Sequence, residues 1–255
     1  MRFVKWIGGG LGWAMGGPIG GILGFAIGAL VDNATGTDID PFDTASNRRG
    51  YQRGYQRQHT RAGDFAGALL VLSAAVMRAD GRVMKSELDY VKGYFTREFG
   101  PERSAELVKA LREVLKQDFS VRQVCLQIRL NMTHPQRLAL LQYLFGIAQA
   151  DGRMDPAERR LLQTIATYLG ISVKDFGSHE AMYESRPTRE SDYKILEISP
   201  NATNDEVKKA YRKMAKKYHP DKVSTLGEEF QKAAKEKFQR VQEAYDNIST
   251  SRGMN

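Results

Sequence analysis

The sequence predicts an all-α protein in which a glycine-rich N-terminal membrane segment precedes two helical domains. Three observations predict it. Apolar residues recur at spacings of three and four through most of the chain. An Asp-Gly turn appears in two similar helical halves, and a basic amphipathic helix stops at Tyr218-His219-Pro220-Asp221 before another helix begins. The 255 residues leave room for two small domains with extensions, and an apolar content of 42% is enough for globular cores.

Residues 1–31 form the first unit. No charge occurs from Trp6 to Val31, a run long enough for a membrane helix. Gly8, Gly12, Gly16, Gly20, Gly24 and Gly28 recur every fourth residue and line one helical face. In lipid such a strip lets two helices approach closely, so a homodimer through this segment is expected. Trp6 and Trp13 suit a membrane interface. The run is too long and too glycine-rich for a cleaved signal peptide. Pro18 sits near its middle, which leaves a single span or a bent hairpin open.

Residues 32–62 read as a linker. They carry few aliphatic side chains and a small repeat, Arg49-Gly50-Tyr51-Gln52 followed by Arg53-Gly54-Tyr55-Gln56. Headgroup contact suits this tract at least as well as RNA, and no nucleic-acid partner is expected.

Residues 63–171 read as a helical bundle. Ala79-Asp80-Gly81-Arg82 with Glu87 matches Ala150-Asp151-Gly152-Arg153 with Glu158, each after an apolar helix, Phe65 to Met77 and Leu138 to Ala148. Two helical hairpins packed as a pseudo-symmetric pair are implied. Ser104 to Lys116 and Val121 to Met132 supply further helices, and Asn131, His134 and Pro135 mark a break. Cys125, the one cysteine, lies in an apolar stretch and excludes an intrachain disulfide.

Residues 172–189 read as a second linker and 190–255 as a helical hairpin domain. Thr203 caps a helix with Glu206 three residues on. Val207, Ala210, Tyr211, Met214, Ala215 and Tyr218 form its apolar stripe, surrounded by lysines and arginines. Pro220 ends it. The next helix spans Glu228 to Ile248 with Phe238, Val241, Ala244, Tyr245 and Ile248 as its stripe.

These residues resemble a J-domain: Asp192-Tyr193-Lys194-Ile195-Leu196, then Glu206-Val207-Lys208-Lys209-Ala210-Tyr211-Arg212-Lys213-Met214-Ala215, then His219-Pro220-Asp221-Lys222, then Glu243-Ala244-Tyr245. The resemblance implies docking on an Hsp70 (DnaK) and stimulation of its ATP hydrolysis. His219, Pro220 and Asp221 would engage the Hsp70, and Lys208, Arg212 and Lys213 would form the basic docking face. A basic face steers a domain toward an acidic partner, which the net charge of +8 also favours. Glu197 departs from the family, which often has Gly there.

The paired Asp-Gly turns resemble the TerB fold, named for tellurite resistance. That resemblance makes Asp80, Glu87, Asp151 and Glu158 candidates for a divalent cation. The residues themselves favour turns and helix caps over a metal site, with Asp155, Pro156 and Glu158 as N-cap, first helical position and capping-box Glu. The order of segments resembles membrane-anchored DnaJ-like co-chaperones of the DjlA type. The resemblance implies a co-chaperone at the bacterial inner membrane, with most of the chain cytoplasmic and a client or adaptor recruited by the bundle. The alternative is a divalent-metal-binding stress scaffold of TerB type. No nucleophile–base pair, phosphate loop or zinc motif occurs, so no enzyme and no resident cofactor are expected.

Overall fold

The computed structural model describes residues 4–35, 59–183, 188–224 and 227–254, and no strand occurs among them. Helix α1 spans Val4–Thr35 but is broken at Gly17, whose φ of 61° and ψ of −153° lie outside helical space. Pro18 follows, and its missing N–H makes this the weakest point of the helix. The two arms fold toward each other, and a Cβ on Gly12 would collide with the Gly20 carbonyl. Gly12 and Gly20 of the glycine strip thus let one arm pack against the other within this chain. Gln127 ties down the break: its Nε2 donates to the Gly16 carbonyl at 2.7 Å and its Oε1 accepts the Ile19 N–H at 3.0 Å. Among the described residues no helix is long and apolar enough to cross a membrane. The Arg/Tyr repeat at 49–56 lies outside the described residues.

The bundle begins earlier than expected, with α2 at His59–Met77, followed by α3 at Lys85–Phe99, α4 at Pro101–Val114 and α5 at Val121–Asn131. Then come α6 at His134–Ala148 and α7 at Pro156–Tyr168. Helices α2 and α6, the two apolar partners of the internal repeat, form the centre. Every residue from Ala66 to Met77, apart from the glycine at 67, is apolar or small, and all are buried. The same holds for Leu138 to Ala148, where Gln142 is the polar exception. A helix apolar all round must be covered all round, and α3, α4, α5 and α7 do much of this. Ser73 Oγ and Tyr143 Oη pair at 2.7 Å between the two central helices, and Ser73 also donates to the Leu69 carbonyl. Cys125 is buried, and burial pushes its thiol up to about 12.

The stretch read as a second linker is structured through Tyr183. Helix α8 spans Val173–Glu180 and a 3-10 turn follows at Ala181–Tyr183. Ser172 caps α8, accepting the Asp175 N–H at 3.1 Å. Its buried face combines Phe176 with polar Asp175, Ser178 and His179, so hydrophobic periodicity could not reveal it. Phe176 and Tyr183 both pack on Phe145, with ring centroids at 5.2 and 5.6 Å.

The C-terminal domain holds α9 at Arg189–Ile195, α10 at Asn204–Lys217, a 3-10 turn at Pro220–Val223 and α11 at Glu228–Arg252. Thr203 caps α10 reciprocally with Glu206, as expected. Arg252 staples the α9–α10 loop, donating to Tyr193 Oη, Ala202 O and Pro200 O. The buried stripe of α11 is Phe230, Ala234, Lys237, Val241, Ala244 and Ile248. Phe238 and Tyr245, expected inside, are half-buried on the side of the helix instead.

Truncating Phe145 removes a fully buried ring that touches α8 and the following turn. Phe145→Ala is expected to cost about 3–5 kcal/mol, read as the shift in a urea unfolding curve.

Candidate functional site

The end of α10 presents the residues read as the partner-docking edge. Tyr218 closes the helix by donating its N–H to Met214 O at 2.9 Å, and its ring is buried. His219 leads into the Pro220–Val223 turn, where its Nδ1 accepts the Asp221 N–H at 3.3 Å. Lys222 N–H donates to His219 O at 3.0 Å, which closes the turn. The His219 ring stands edge-on to Phe238, with centroids at 6.2 Å. That contact explains why Phe238 leaves the core: it floors a shallow hollow shared with Ala215, Lys216, His219, Asp221 and Lys222. The side chains of His219 and Asp221 are 52% and 87% exposed. Arg212 and Lys213 are exposed on the same helix, and Lys208 is half-exposed. A rigid turn with a ring, a carboxylate and an apolar floor, next to a basic face, suits an extended acidic partner.

Behind this edge lies a polar cluster that hydrophobic patterning did not reveal. Lys217 Nζ bonds Glu197 Oε1 at 2.8 Å and also Asp175 Oδ1. His134 Nε2 lies 3.7 Å from Asp175 Oδ2. Burial raises the Glu197 carboxyl, against the pull of Lys217. Asp175 is shifted down: Lys217, Glu197 and Ser172 hydrogen bonds outweigh the upward effect of burial. Glu197 is the one described non-glycine residue with positive φ, at 61°. A left-handed residue other than Gly costs about 1–2 kcal/mol. The departure from the family pattern thus falls on a backbone position made for Gly, and the side chain that replaces it is 5% exposed.

Lys237 is fully buried, and its Nζ donates to Ser178 O at 2.6 Å and to Ser178 Oγ at 2.8 Å. Burial pulls its ammonium down to about 7. The His179 ring is also fully buried, which lowers it to about 3; its Nδ1 meets Asp175 O at 2.9 Å.

The four cation candidates separate into two roles. Asp80 and Asp151 turn onto their own backbone, accepting the Arg82 and Arg153 N–H groups at 2.8 and 2.9 Å. Gly81 and Gly152 adopt φ of 81° and 84°, so the two turns are near-copies. Glu87 and Glu158 accept the Met84 and Asp155 N–H groups at 2.7 and 2.9 Å as helix caps. They are 5% and 7% exposed and hydrogen-bonded to each other. Among the described residues no group of three or more His, Cys, Asp or Glu side chains is placed to hold a metal ion. One oxygen of each of the four carboxylates accepts a backbone N–H, as the turn and cap reading expects.

A helical hairpin carrying an outward His-Pro-Asp turn beside a basic helix defines a J-domain protein. Residues 191–253 match the family model of the DnaJ domain, residues 66–181 that of Tellurite resistance protein TerB, and residues 1–50 that of the Co-chaperone DjlA transmembrane domain. The TerB match runs through α8, beyond the expected end at residue 171. The Co-chaperone protein DjlA of Vibrio parahaemolyticus is 30% identical, with 76% of this chain and 80% of the relative covered. That of Vibrio vulnificus (strain CMCP6) is 31% identical with the same coverage. The DjlA of Coxiella burnetii is 27% identical over 70% of this chain and 74% of its own. The chain belongs to the DjlA family of membrane-anchored co-chaperones. No solved structure matches it.

The Glu87–Glu158 pair yields a pH signature. Burial, followed by the Glu158 hydrogen bond and charge, raises Glu87 to about 7, while the Met84 N–H pulls the other way. The folded state therefore keeps a proton that the unfolded chain has released, and stability falls as pH rises from 4.5 toward 7. Gln preserves the cap and carries no charge. Glu87→Gln is expected to exceed wild type by about 1–3 kcal/mol at about pH 8, an advantage that fades below about pH 5. Thermal unfolding across that range measures it.

Proposed function

We propose that the protein stimulates ATP hydrolysis by a cytoplasmic Hsp70 of the DnaK type, acting from the inner membrane and carrying out no chemistry of its own. One observation carries this reading: His219 and Asp221 stand exposed on a hydrogen-bonded turn, beside Phe238 and at the end of a basic helix. His219, Pro220 and Asp221 make the specific contact. Lys208, Arg212 and Lys213 steer the approach and fix its register. Stimulation requires that the edge bind the hydrolysis-competent Hsp70 state better than the resting one. The match of residues 1–50 to a DjlA transmembrane domain supports the membrane location. ATP and Hsp70 reside in the cytoplasm, so the J-domain lies on that side of the membrane.

His219→Gln keeps the turn but removes the ring geometry that faces the partner. It is expected to abolish stimulation in single-turnover ATP hydrolysis by a bacterial Hsp70, with the helical circular dichroism unchanged. Full stimulation by that variant would end the assignment. Replacing Lys208, Arg212 and Lys213 together by Ala is expected to weaken stimulation most at low salt, because screening already suppresses their steering at high salt.

A further inference from the structure

The J-domain packs directly on the bundle. Its back is seated on the TerB-like bundle by three separate devices. The first is the cluster in which Asp175 of α8 and Glu197 of the J-domain both bond Lys217. The second is Lys237, which reaches out of α11 to both oxygens of Ser178, while Ser178 Oγ donates to the Ile195 carbonyl at 2.7 Å. The third is the N-terminus of α11, which has no side-chain cap of its own. Glu98 of α3 supplies one, accepting the Glu229 N–H at 3.0 Å, and Arg97 pairs with Glu229 at 2.9 Å. A carboxylate at a helix N-terminus satisfies an orphan donor and complements the helix dipole. Tyr94 and Phe230 add an apolar contact, edge to face at 5.6 Å.

The Pro220–Val223 turn itself rests on α6, where His219 and Val223 line a small cavity with Pro135 and Leu138, but the rest of the outward edge stays open. Arg212, Lys213, Lys216, His219 and Asp221 remain exposed while Tyr218, Val223 and Lys237 behind them are buried. The contact therefore orients the J-domain without masking it. Glu197 gives the strongest sign that orientation is the purpose. Gly would adopt its φ without strain. A carboxylate kept there against that strain has a task of its own: it pairs with Lys213 at 3.8 Å and with Lys217 at 2.8 Å, and Lys217 in turn reaches Asp175 of the bundle.

We propose that Glu197 is a positioning residue: with Asp175 and Lys217 it locks the J-domain to the bundle, so that the bundle sets the direction in which the His-Pro-Asp edge faces. The direction matters for Hsp70 only if that edge is the docking site. The lock itself is measured without Hsp70.

The test uses the full chain in lipid nanodiscs, spin-labelled at Lys109→Cys on α4 and Gln242→Cys on α11, two exposed positions. Cys125 is buried and stays in place. The labelled but otherwise wild-type chain is expected to give one narrow distance distribution by double electron–electron resonance. Glu197→Gly is expected to more than double its width while the melting temperature of the J-domain holds or rises, since the backbone strain is relieved. Asp175→Asn, which weakens the ion pair by which Lys217 reaches the bundle, is expected to broaden it as well. A purely local role for Glu197 predicts unchanged width in Glu197→Gly, and that result overturns the proposal, as does a broad distribution in the wild-type background. His219→Gln separates the two readings: it should keep the narrow distance and lose Hsp70 stimulation, so either can fail without the other.

Discussion

Two helices without a polar face set the architecture. Helices α2 and α6 are buried on every side, and a helix of that kind is stable only when neighbours enclose it. The bundle supplies most of the enclosure, but one side of α6 is closed by the J-domain. Leu138 and Ala139 meet Tyr218, Val223 and Ala234 across a cavity of about 10 Å³, small enough to count as packed. In return α11 takes its N-terminal cap from Glu98 of the bundle. Each domain thus completes something the other lacks. The docking follows from the same burial that holds the bundle together, and the residues between 172 and 183 are its core, not a spacer.

What the sequence reveals follows from how local the cause is. The α10 cap needs Thr203 and Glu206 in one turn, and the His-Pro-Asp turn needs adjacent residues, so both are visible in a short window. The paired Asp-Gly turns are equally local, and their glycines adopt nearly the same φ. Helix α8 is different. Asp175 and Ser178 are partnered by Lys217 and Lys237, which lie far along the chain, while His179 hydrogen-bonds only the Asp175 carbonyl one turn back. No periodicity can announce a face whose partners are distant charges. The same reason hides Lys237. A lysine on a helix reads as solvent-facing, and Phe238 beside it reads as core; the fold exchanges them because Phe238 has His219 to pack on. Glu197 left a trace as a missing glycine, yet its meaning required the φ of 61° and the three-way contact together.

Buried charge in the interface argues for specificity over stability. Desolvating an ammonium is costly, and apolar residues of similar volume often replace buried ion pairs without loss. Met at position 237 would fill the same space against Tyr218, whose ring lies 5.2 Å from the ammonium. What an apolar residue would not supply is register. Lys237 is satisfied only where the carbonyl and hydroxyl of Ser178 both point at it, and the Lys217 cluster only where Asp175 and Glu197 converge. A slip of one helical position leaves a charge buried without partners, a penalty of several kcal/mol. Apolar contacts along α6 and α11 would tolerate such slips, because hydrophobic burial is non-directional.

A membrane anchor adds a reason for that register to matter. An anchored co-chaperone holds its partner-binding edge at a high effective concentration near the bilayer, provided the edge points where the partner can reach it. On a loose tether the edge would sample all directions, some of them toward the lipid. A J-domain held on the bundle samples one direction, and its outward face carries the exposed His219 and Asp221 with Arg212 and Lys213 beside them. Cationic side chains that could otherwise lie down on anionic headgroups are held in the orientation that the lock dictates. The polar cluster behind the turn, two positions from His219 along the chain at Lys217 and 3.8 Å from Lys213 at Glu197, is where the bundle's packing is converted into the pose of the site.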